Sequence, residues 1–307
     1  MNLVLELTVK IFVVMAVGFA AKKAGIIDTV CQEKLSALLV NLLLPVSMIA
    51  SSQQIFAMEN LKGVGEIAGI SFLYYVLAFV IGLSIGKAVK MDRQKTAVFT
   101  VLIAFANTGF IGMPVLGEVI GAAGTLYGAV FNSVFDILYF SYGIYLISGS
   151  GKEGISIKKL LCNPMAGIAV GTVILYVLPW RFPQVVTDSL NLLGNCMMPV
   201  SMLVIGAEIA EMNVKEILFD KASYGVSLFR MFLFPAAVFC MMKMLKVQYE
   251  TAVTAVILSA MPSGSLNVIM AQKYNNHAQF AARAVMQNTI IMTVTLPAVV
   301  YLCGFLQ

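Results

Sequence analysis

Residues 107–114 read Asn-Thr-Gly-Phe-Ile-Gly-Met-Pro, in the middle of a hydrophobic stretch long enough to span a bilayer. Two glycines and a proline break a helix there, and Asn107 and Thr108 bring side-chain hydrogen-bonding groups to membrane depth. Backbone groups freed inside lipid are tolerated only where protein or a wet cavity satisfies them. A second break, Met261-Pro262-Ser263-Gly264-Ser265-Leu266-Asn267, follows 155 residues later in an equally apolar segment. Interrupted helices at matching positions of two half-chains point to the substrate site of a transporter.

Composition agrees. The 307-residue chain is 60% hydrophobic and 11% charged, with a mean hydropathy of +0.92. A soluble domain has roughly a quarter of its residues charged, so a soluble fold is excluded. The net charge of +5 is scattered through short loops and forms no contiguous patch for nucleic acid. Cys31, Cys162, Cys196, Cys240 and Cys303 show no metal or redox spacing and read as buried free thiols. The N-terminal stretch has no basic start and no small-residue cleavage site, so it reads as a retained helix.

Ten hydrophobic stretches fall near 3–22, 35–52, 65–89, 95–118, 122–148, 163–180, 184–210, 221–245, 250–272 and 279–304. A spanning helix needs about 20 apolar residues, so the expected fold is an all-α polytopic membrane protein with ten transmembrane helices. Counted on alternate sides, fourteen Lys and Arg face one way, five the other, and Arg230 falls within a span. The richer side is expected in the cytoplasm, with both termini outside the plasma membrane.

The halves resemble each other. Leu44-Pro45-Val46-Ser47-Met48 recurs as Met198-Pro199-Val200-Ser201-Met202, and Thr96-Ala97-Val98 recurs as Thr251-Ala252-Val253. Thr108-Gly109 aligns with Ser263-Gly264, and Ala129-Val130-Phe131-Asn132 aligns with Ala284-Val285-Met286-Gln287. All four matches lie at an offset of 154 or 155. Five spans per copy is odd, so the second copy enters the membrane from the opposite side as an inverted repeat, with helices 4 and 9 broken and crossing. The repeats are 1–148 and 163–307, joined by a Gly/Ser/Lys-rich cytoplasmic linker at 149–162.

Each break leaves half-helix ends near the bilayer midplane, and helix N-termini suit an anion such as a carboxylate. Asn107, Thr108, Ser263 and Asn267 supply donors there, with Gly109, Pro114, Pro262 and Gly264 shaping the breaks. Asn132, Gln287 and Asn288 add neutral polar groups that either line the site or bond between helices. Asp136 sits in an apolar run, where a carboxylate must be paired, solvated or protonated, and Arg230 and Arg283 are its candidate partners. Either arginine is also a candidate for the substrate, while Arg283 has the alternative of snorkelling to the interface. Glu208 and Glu211 read as solvated. His277, in a polar loop, reads as solvent-facing, and no metal site is expected. Ser47 and Ser201 read as packing residues.

Residues 107–114, the Asn41-Leu42-Leu43-Leu44-Pro45 run and the ten-span layout resemble the auxin efflux carrier family, which includes plant auxin carriers and bacterial permeases for malate and malonate. The resemblance covers essentially the whole chain. It implies a scaffold of helices 1, 2, 6 and 7 and a moving transport bundle of helices 3–5 and 8–10. It maps the family's crossover asparagine and prolines onto Asn107, Pro114 and Pro262. The long cytoplasmic loop of many plant members is lacking, so the compact form is similar to the bacterial permeases.

The function this implies is secondary transport of a small mono- or dicarboxylate by alternating access, without a bound cofactor and with H+ or Na+ as the coupling ion. Lipid is the expected surroundings, and a homodimer through the scaffold helices is the expected partner. The bile-acid/sodium symporters share a similar plan and give the alternative of sodium coupling. No Gly-x-x-x-x-Gly-Lys-Ser/Thr pattern supports direct ATP drive. A membrane enzyme would want paired carboxylates, a metal cluster or an activated nucleophile, and a sensor would normally add a signalling domain.

Overall fold

The computed structural model describes residues 3–53, 58–148, 164–178, 180–211 and 223–306. The expected linker at 149–162 falls outside them. In chain order the helices are α1 (Leu3–Lys23), α2 (Thr29–Ser51), α3 (Met58–Ala88), α4 (Arg93–Ala104), α5 (Met113–Ile147), α6 (Pro164–Val177), α7 (Gln184–Glu211), α8 (Tyr224–Leu245), α9 (Tyr249–Ser259), α10 (Ser265–Lys273) and α11 (Ala278–Cys303). No strand occurs among the described residues.

Proline shapes several of these helices. Leu39–Leu43, Thr108–Gly112 and Phe229–Leu233 each form one wide π turn, and Pro45, Pro114 and Pro235 follow at the second residue beyond. Proline has no N–H to return to the carbonyl four residues back and its ring crowds that carbonyl, so the turn widens. α5 carries a separate kink at Ile120 (φ −131°) and Gly121, whose φ of +61° favours a residue without Cβ.

Six helices among the described residues are long and apolar enough to cross a membrane: Thr29–Ser51, Lys62–Ala88, Met113–Ile147, Gln184–Glu211, Tyr224–Leu245 and Ala278–Leu306. All ten expected stretches are helical, yet the fourth and ninth are split. The fourth becomes α4 and the start of α5, which runs on through the Gly121 kink into the fifth. The ninth becomes α9 and α10. Such halves are too short to span singly.

α1 packs along α7, α2 against α6 and α7, α3 against α4 and α5, α8 against α9, and α10 against α11. The α1–α7 contact is a backbone-to-backbone approach. A Cβ on Gly206 would lie 2.0 Å from the Met15 carbonyl oxygen, and one on Gly18 would lie 2.2 Å from that of Leu203. Small residues at such a crossing are how membrane helices gain van der Waals contact.

Burial separates two kinds of helix. Every residue of α4 from Ala97 to Ala104 is buried, as is every residue of α9 from Thr251 to Ser259. Their nearly continuous apolar sequence is what an all-round buried helix requires. On α3 and α8, by contrast, Phe72, Val76, Val80, Leu228 and Phe232 are exposed on the outer surface. Exposed apolar area of that extent marks a face that water does not cover.

Candidate functional site at the crossing of two broken helices

The chain leaves α4 at Ala104 in extended form, with Phe105 at φ −102° and ψ 105°. It leaves α9 through Ala260, still near-helical at φ −91° and ψ −1°, and becomes extended only before α10, at Gly264 with φ −71° and ψ 141°. These two extended segments pair antiparallel at Ala106 and Ser263. The Asn107 N–H donates to the Pro262 carbonyl at 2.7 Å, and the Gly264 N–H donates to the Phe105 carbonyl at 3.0 Å. The backbone groups freed by one break thus satisfy those freed by the other, as a water-free interior demands. Gly112 seats the crossing, since a Cβ there would lie 2.5 Å from Leu258 Cδ2.

Side chains tie each break to the last helix of its own half. Thr108 Oγ1 donates to Asn132 Oδ1 on α5 at 2.5 Å, and Asn288 Nδ2 on α11 donates to Ser263 Oγ at 2.8 Å. Ser263 donates onward to the Leu102 carbonyl at 2.7 Å. Ser227 Oγ on α8 lies 2.5 Å from Gln287 Oε1, 2.7 Å from Asn288 Oδ1 and 3.3 Å from the Ser223 carbonyl, so its single proton faces three acceptors. Asn267 Nδ2 donates to the Phe105 carbonyl at 2.9 Å, which fixes the orientation of its amide. Its Oδ1 is buried and accepts no hydrogen bond from any of the described residues.

Arg230 holds both breaks at once. It is fully buried and rises from the π turn of α8. Its Nε donates to the Met261 carbonyl at 2.7 Å and one terminal nitrogen to that of Leu258 at 3.2 Å. The other terminal nitrogen donates to the Tyr74 hydroxyl and to the carbonyls of Ile103 (3.0 Å) and Ala104 (3.3 Å). One cation therefore caps the carbonyl ends of α4 and α9. A helix C-terminus carries about −0.5 elementary charge and an N-terminus about +0.5. Arg230 offsets the two negative ends, while the chain starts again at Thr108 and Ser265 with two positive ones. α10 begins without a side-chain cap.

Beside the crossing, a cavity of about 160 Å³ lies between α2, α7 and the first turns of α5. Ser47, Ser51, Pro114, Glu118, Asn191 and Asn195 are among its lining residues.

A family model described as "Membrane transport protein" matches the chain twice, over residues 3–155 and 153–300. It is the model of the auxin efflux carriers. The chain belongs to this family. An uncharacterized transporter of Methanothermobacter thermautotrophicus is 22% identical over 295 residues, covering 95% of this chain and 96% of the relative. Another, from Methanocaldococcus jannaschii, is 19% identical over 294 residues, covering 93% and 94%. The protein is thus a membrane protein of a transporter family.

Within this family member, the expected residues divide into those the fold gathers and those it separates. Asn107, Thr108, Gly109, Pro262, Ser263, Gly264 and Asn267 meet at the crossing, and Asn132, Gln287 and Asn288 join it through the bonds above. Pro114 lines the adjoining cavity. Asp136 is half-buried on α5, next to Phe135, whose ring packs 5.0 Å from that of Phe105. Arg283 is exposed beside Lys95 and His277.

Other residues of the sequence reading are placed as follows. His277 is exposed, as expected, and its Nε2 lies 3.4 Å from Asp92 across 185 residues of sequence. Glu211 takes the Lys22 ammonium at 2.6 Å; the Glu208 side chain is outside the description. Of the cysteines, Cys303 is buried, while Cys196 and Cys240 are exposed on the helix surface. Cys162 lies outside the described residues. No cluster of three or more His, Cys, Asp or Glu that could hold a metal occurs among the described residues.

Several residues at the site carry no motif. Tyr74 and Ser227 read as ordinary residues of apolar spans, although Ser227 stands three before Arg230 and so shares its helix face. Ser47 lines the cavity, where packing alone was expected.

Proposed function

We propose that the protein is a secondary transporter of a small organic anion across the cytoplasmic membrane, working by alternating access at the crossing. The observation that carries this reading is Arg230. By offsetting two helix C-termini it leaves the crossing with a net positive character near Thr108 and Ser265, where a carboxylate is favoured. Asn107 and the neighbouring donors would bind the substrate, and the cavity beside Pro114 would lead to it.

The ten-span inverted repeat is part of this proposal. Two matches to one family model, and the breaks at repeat-related positions, support it. A scaffold of α1, α2, α6 and α7 is supported by their mutual packing, and the remaining helices would form the bundle that moves. Both termini would lie outside. Asp136 is the carboxylate this reading reserves for coupling to a proton.

Asn267 Oδ1 favours a second reading of the coupling. A buried oxygen with no donor suits a hard cation, which would make the carrier sodium-driven.

Uptake by reconstituted proteoliposomes, over a panel of mono- and dicarboxylates with pH and sodium gradients imposed separately, tests both. Accumulation of a carboxylate is expected. Uptake no greater than in protein-free liposomes across the panel would overturn the transport reading.

A further inference from the structure

A second cavity, of about 430 Å³, lies where the end of α3, the start of α4 and the end of α5 meet. Lys87 and Arg93 bring two cations to its lining, Tyr142 and Tyr145 two phenol rings, and Leu83 and Leu146 apolar surface. The turn between α3 and α4 places the cations together. A Cβ on Gly86 would lie 2.2 Å from Thr96 Cγ2, so a glycine lets the two helices come this close. The Met91 N–H returns to the Gly86 carbonyl at 2.9 Å through Lys90 at φ +56°, and α4 starts with Arg93 beside the end of α3. Asp92, next to Arg93 in sequence, has its Oδ1 on the Lys95 N–H and beside His277. Neither Lys87 nor Arg93 has an ion-pair partner among the described residues.

An apolar stripe runs from this cavity along α3. Phe72, Val76, Val80, Leu83 and Lys87 are spaced four, four, three and four apart, which puts them on one face of the helix. Phe72, Val76 and Val80 are exposed, and Leu83 is half-buried in the cavity lining. At 1.5 Å per residue the stripe is roughly 22 Å long, against roughly 15 Å for half of a bilayer's hydrocarbon core. An acyl chain therefore fits along it at full length. The Tyr142 ring meets Phe79 of α3 edge-on at 4.9 Å and stacks on Tyr145 at 6.0 Å. Tyrosine favours the headgroup level of a membrane, and basic pockets between spanning helices take anionic headgroups.

We propose that the cavity and the stripe together bind one anionic phospholipid, with its phosphate facing Lys87 and Arg93, its glycerol level against the two tyrosine rings and one acyl chain along α3. A free phosphate would use the two cations alone and leave the stripe bare, whereas a phospholipid covers both. On the orientation proposed above, this end would face the cytoplasmic leaflet, where anionic lipid gives the surface its negative potential. The site is separate from the crossing and goes beyond the transport reading, since it holds a component of the bilayer and no transported acid.

The test titrates the full-length protein in a non-ionic detergent with phosphatidylglycerol, with phosphatidylcholine of the same chains, and with glycerophosphoglycerol, the headgroup without its chains. The rise in melting temperature gives an apparent affinity for each. Phosphatidylglycerol is expected to bind at least about ten-fold more tightly than either of the others. Lys87→Gln and Arg93→Gln are surface changes that should leave the fold intact, and each should weaken phosphatidylglycerol about five-fold. A Lys243→Gln, Lys246→Gln protein, which loses two exposed cations elsewhere, should bind it as the parent does. Equal affinity for the two lipids, a Lys87→Gln, Arg93→Gln protein that binds as the parent does, or an equal loss in the control would overturn the proposal. Binding of glycerophosphoglycerol as tight as that of the lipid would overturn it too, by leaving an anion site in which the stripe has no part. Melting measures no uptake, so each of these results leaves the transport reading standing.

Discussion

The backbone N–H of Asn107 donates to the carbonyl of Pro262 at 2.7 Å, joining two helix breaks 155 residues apart in sequence. This bond turns two separate kinks into one crossing, because each extended segment is the other's hydrogen-bond partner. The side chain of Asn107 is half-buried.

An Asn107→Ala protein should bind substrate more weakly. Losing a hydrogen bond to a charged carboxylate costs about 1.5–3 kcal/mol, or roughly ten-fold or more in affinity. The backbone bond to Pro262 does not involve the side chain, so the fold should persist. Substrate-protected melting and uptake kinetics check this together. Unchanged affinity in a folded variant would remove Asn107 from the site.

Arg230→Met should be strongly destabilising. The substitution takes the guanidinium donor from the carbonyls of Ile103, Ala104 and Met261, while that of Leu258 keeps the Met261 N–H at 3.4 Å, and a buried unsatisfied group costs about 1–3 kcal/mol. Two such losses give about 2–6 kcal/mol, a large share of the stability of an ordinary domain. Arg230→Lys keeps the charge but has a compact ammonium in place of the planar fork, so it should fall between the two. Melting in detergent measures the order. A methionine variant as stable as the parent would show that the caps are dispensable.

The two breaks and the repeat could be read directly, because glycine and proline act on the backbone wherever they stand. Asn107, Ser263 and Asn267 were within reach for the same reason, as polar residues beside a break. Arg230 was visible as a charge in an apolar span, but its partners were not. Apart from the Tyr74 hydroxyl, they are main-chain carbonyls at the ends of two other helices, which leave no trace in side-chain identity. The cavity with Glu118 was hidden for a related reason, since its walls come from three helices distant in sequence. Arg283 stood between a site role and snorkelling, since a sequence gives its charge without its face: the helix turns it outward, beside Lys95 and His277.

The proposed topology predicts that cysteines at Ile26 and Val185 label from opposite sides of the membrane. Both positions are well exposed, at 75% and 77%, and they flank the ends of α1 and α7 that the positive-inside asymmetry places oppositely. In a background without native cysteines, Ile26→Cys should react only from the cytoplasm and Val185→Cys only from outside. Reaction of both from one side would remove the inverted arrangement.

Asp92 gives a pH-dependent contribution to stability. Its Oδ1 accepts the Lys95 backbone N–H at 2.8 Å as the N-cap of α4, and this bond, with nearby His277, holds its carboxyl below the ordinary value of 3.8. A depressed value means that the stabilisation is complete above the unfolded pKa and is lost as pH falls through the folded one. Asp92→Ala should lose about 1 kcal/mol at neutral pH. The gap from the parent should close in acid. Asp92→Asn keeps the cap and should lose the pH dependence. Melting curves across the acid range decide it, and a constant gap between parent and alanine variant would count against the cap.

Asp136 is expected to be needed for accumulation and dispensable for exchange. It is half-buried in α5, beside the aromatic contact between Phe135 and Phe105 that joins this helix to the crossing. A carboxylate in the middle of a span costs about 2.5–3.5 kcal/mol to insert, so a chain that keeps one there has a use for its charge or its proton. Asp136→Asn preserves shape and hydrogen-bonding capacity but cannot change charge. It should therefore fail to concentrate substrate on an imposed gradient, while substrate-for-substrate exchange continues, because exchange needs no net movement of the coupling ion. Accumulation equal to that of the parent, with the same dependence on the gradient, would show that Asp136 is only a tolerated polar residue of α5.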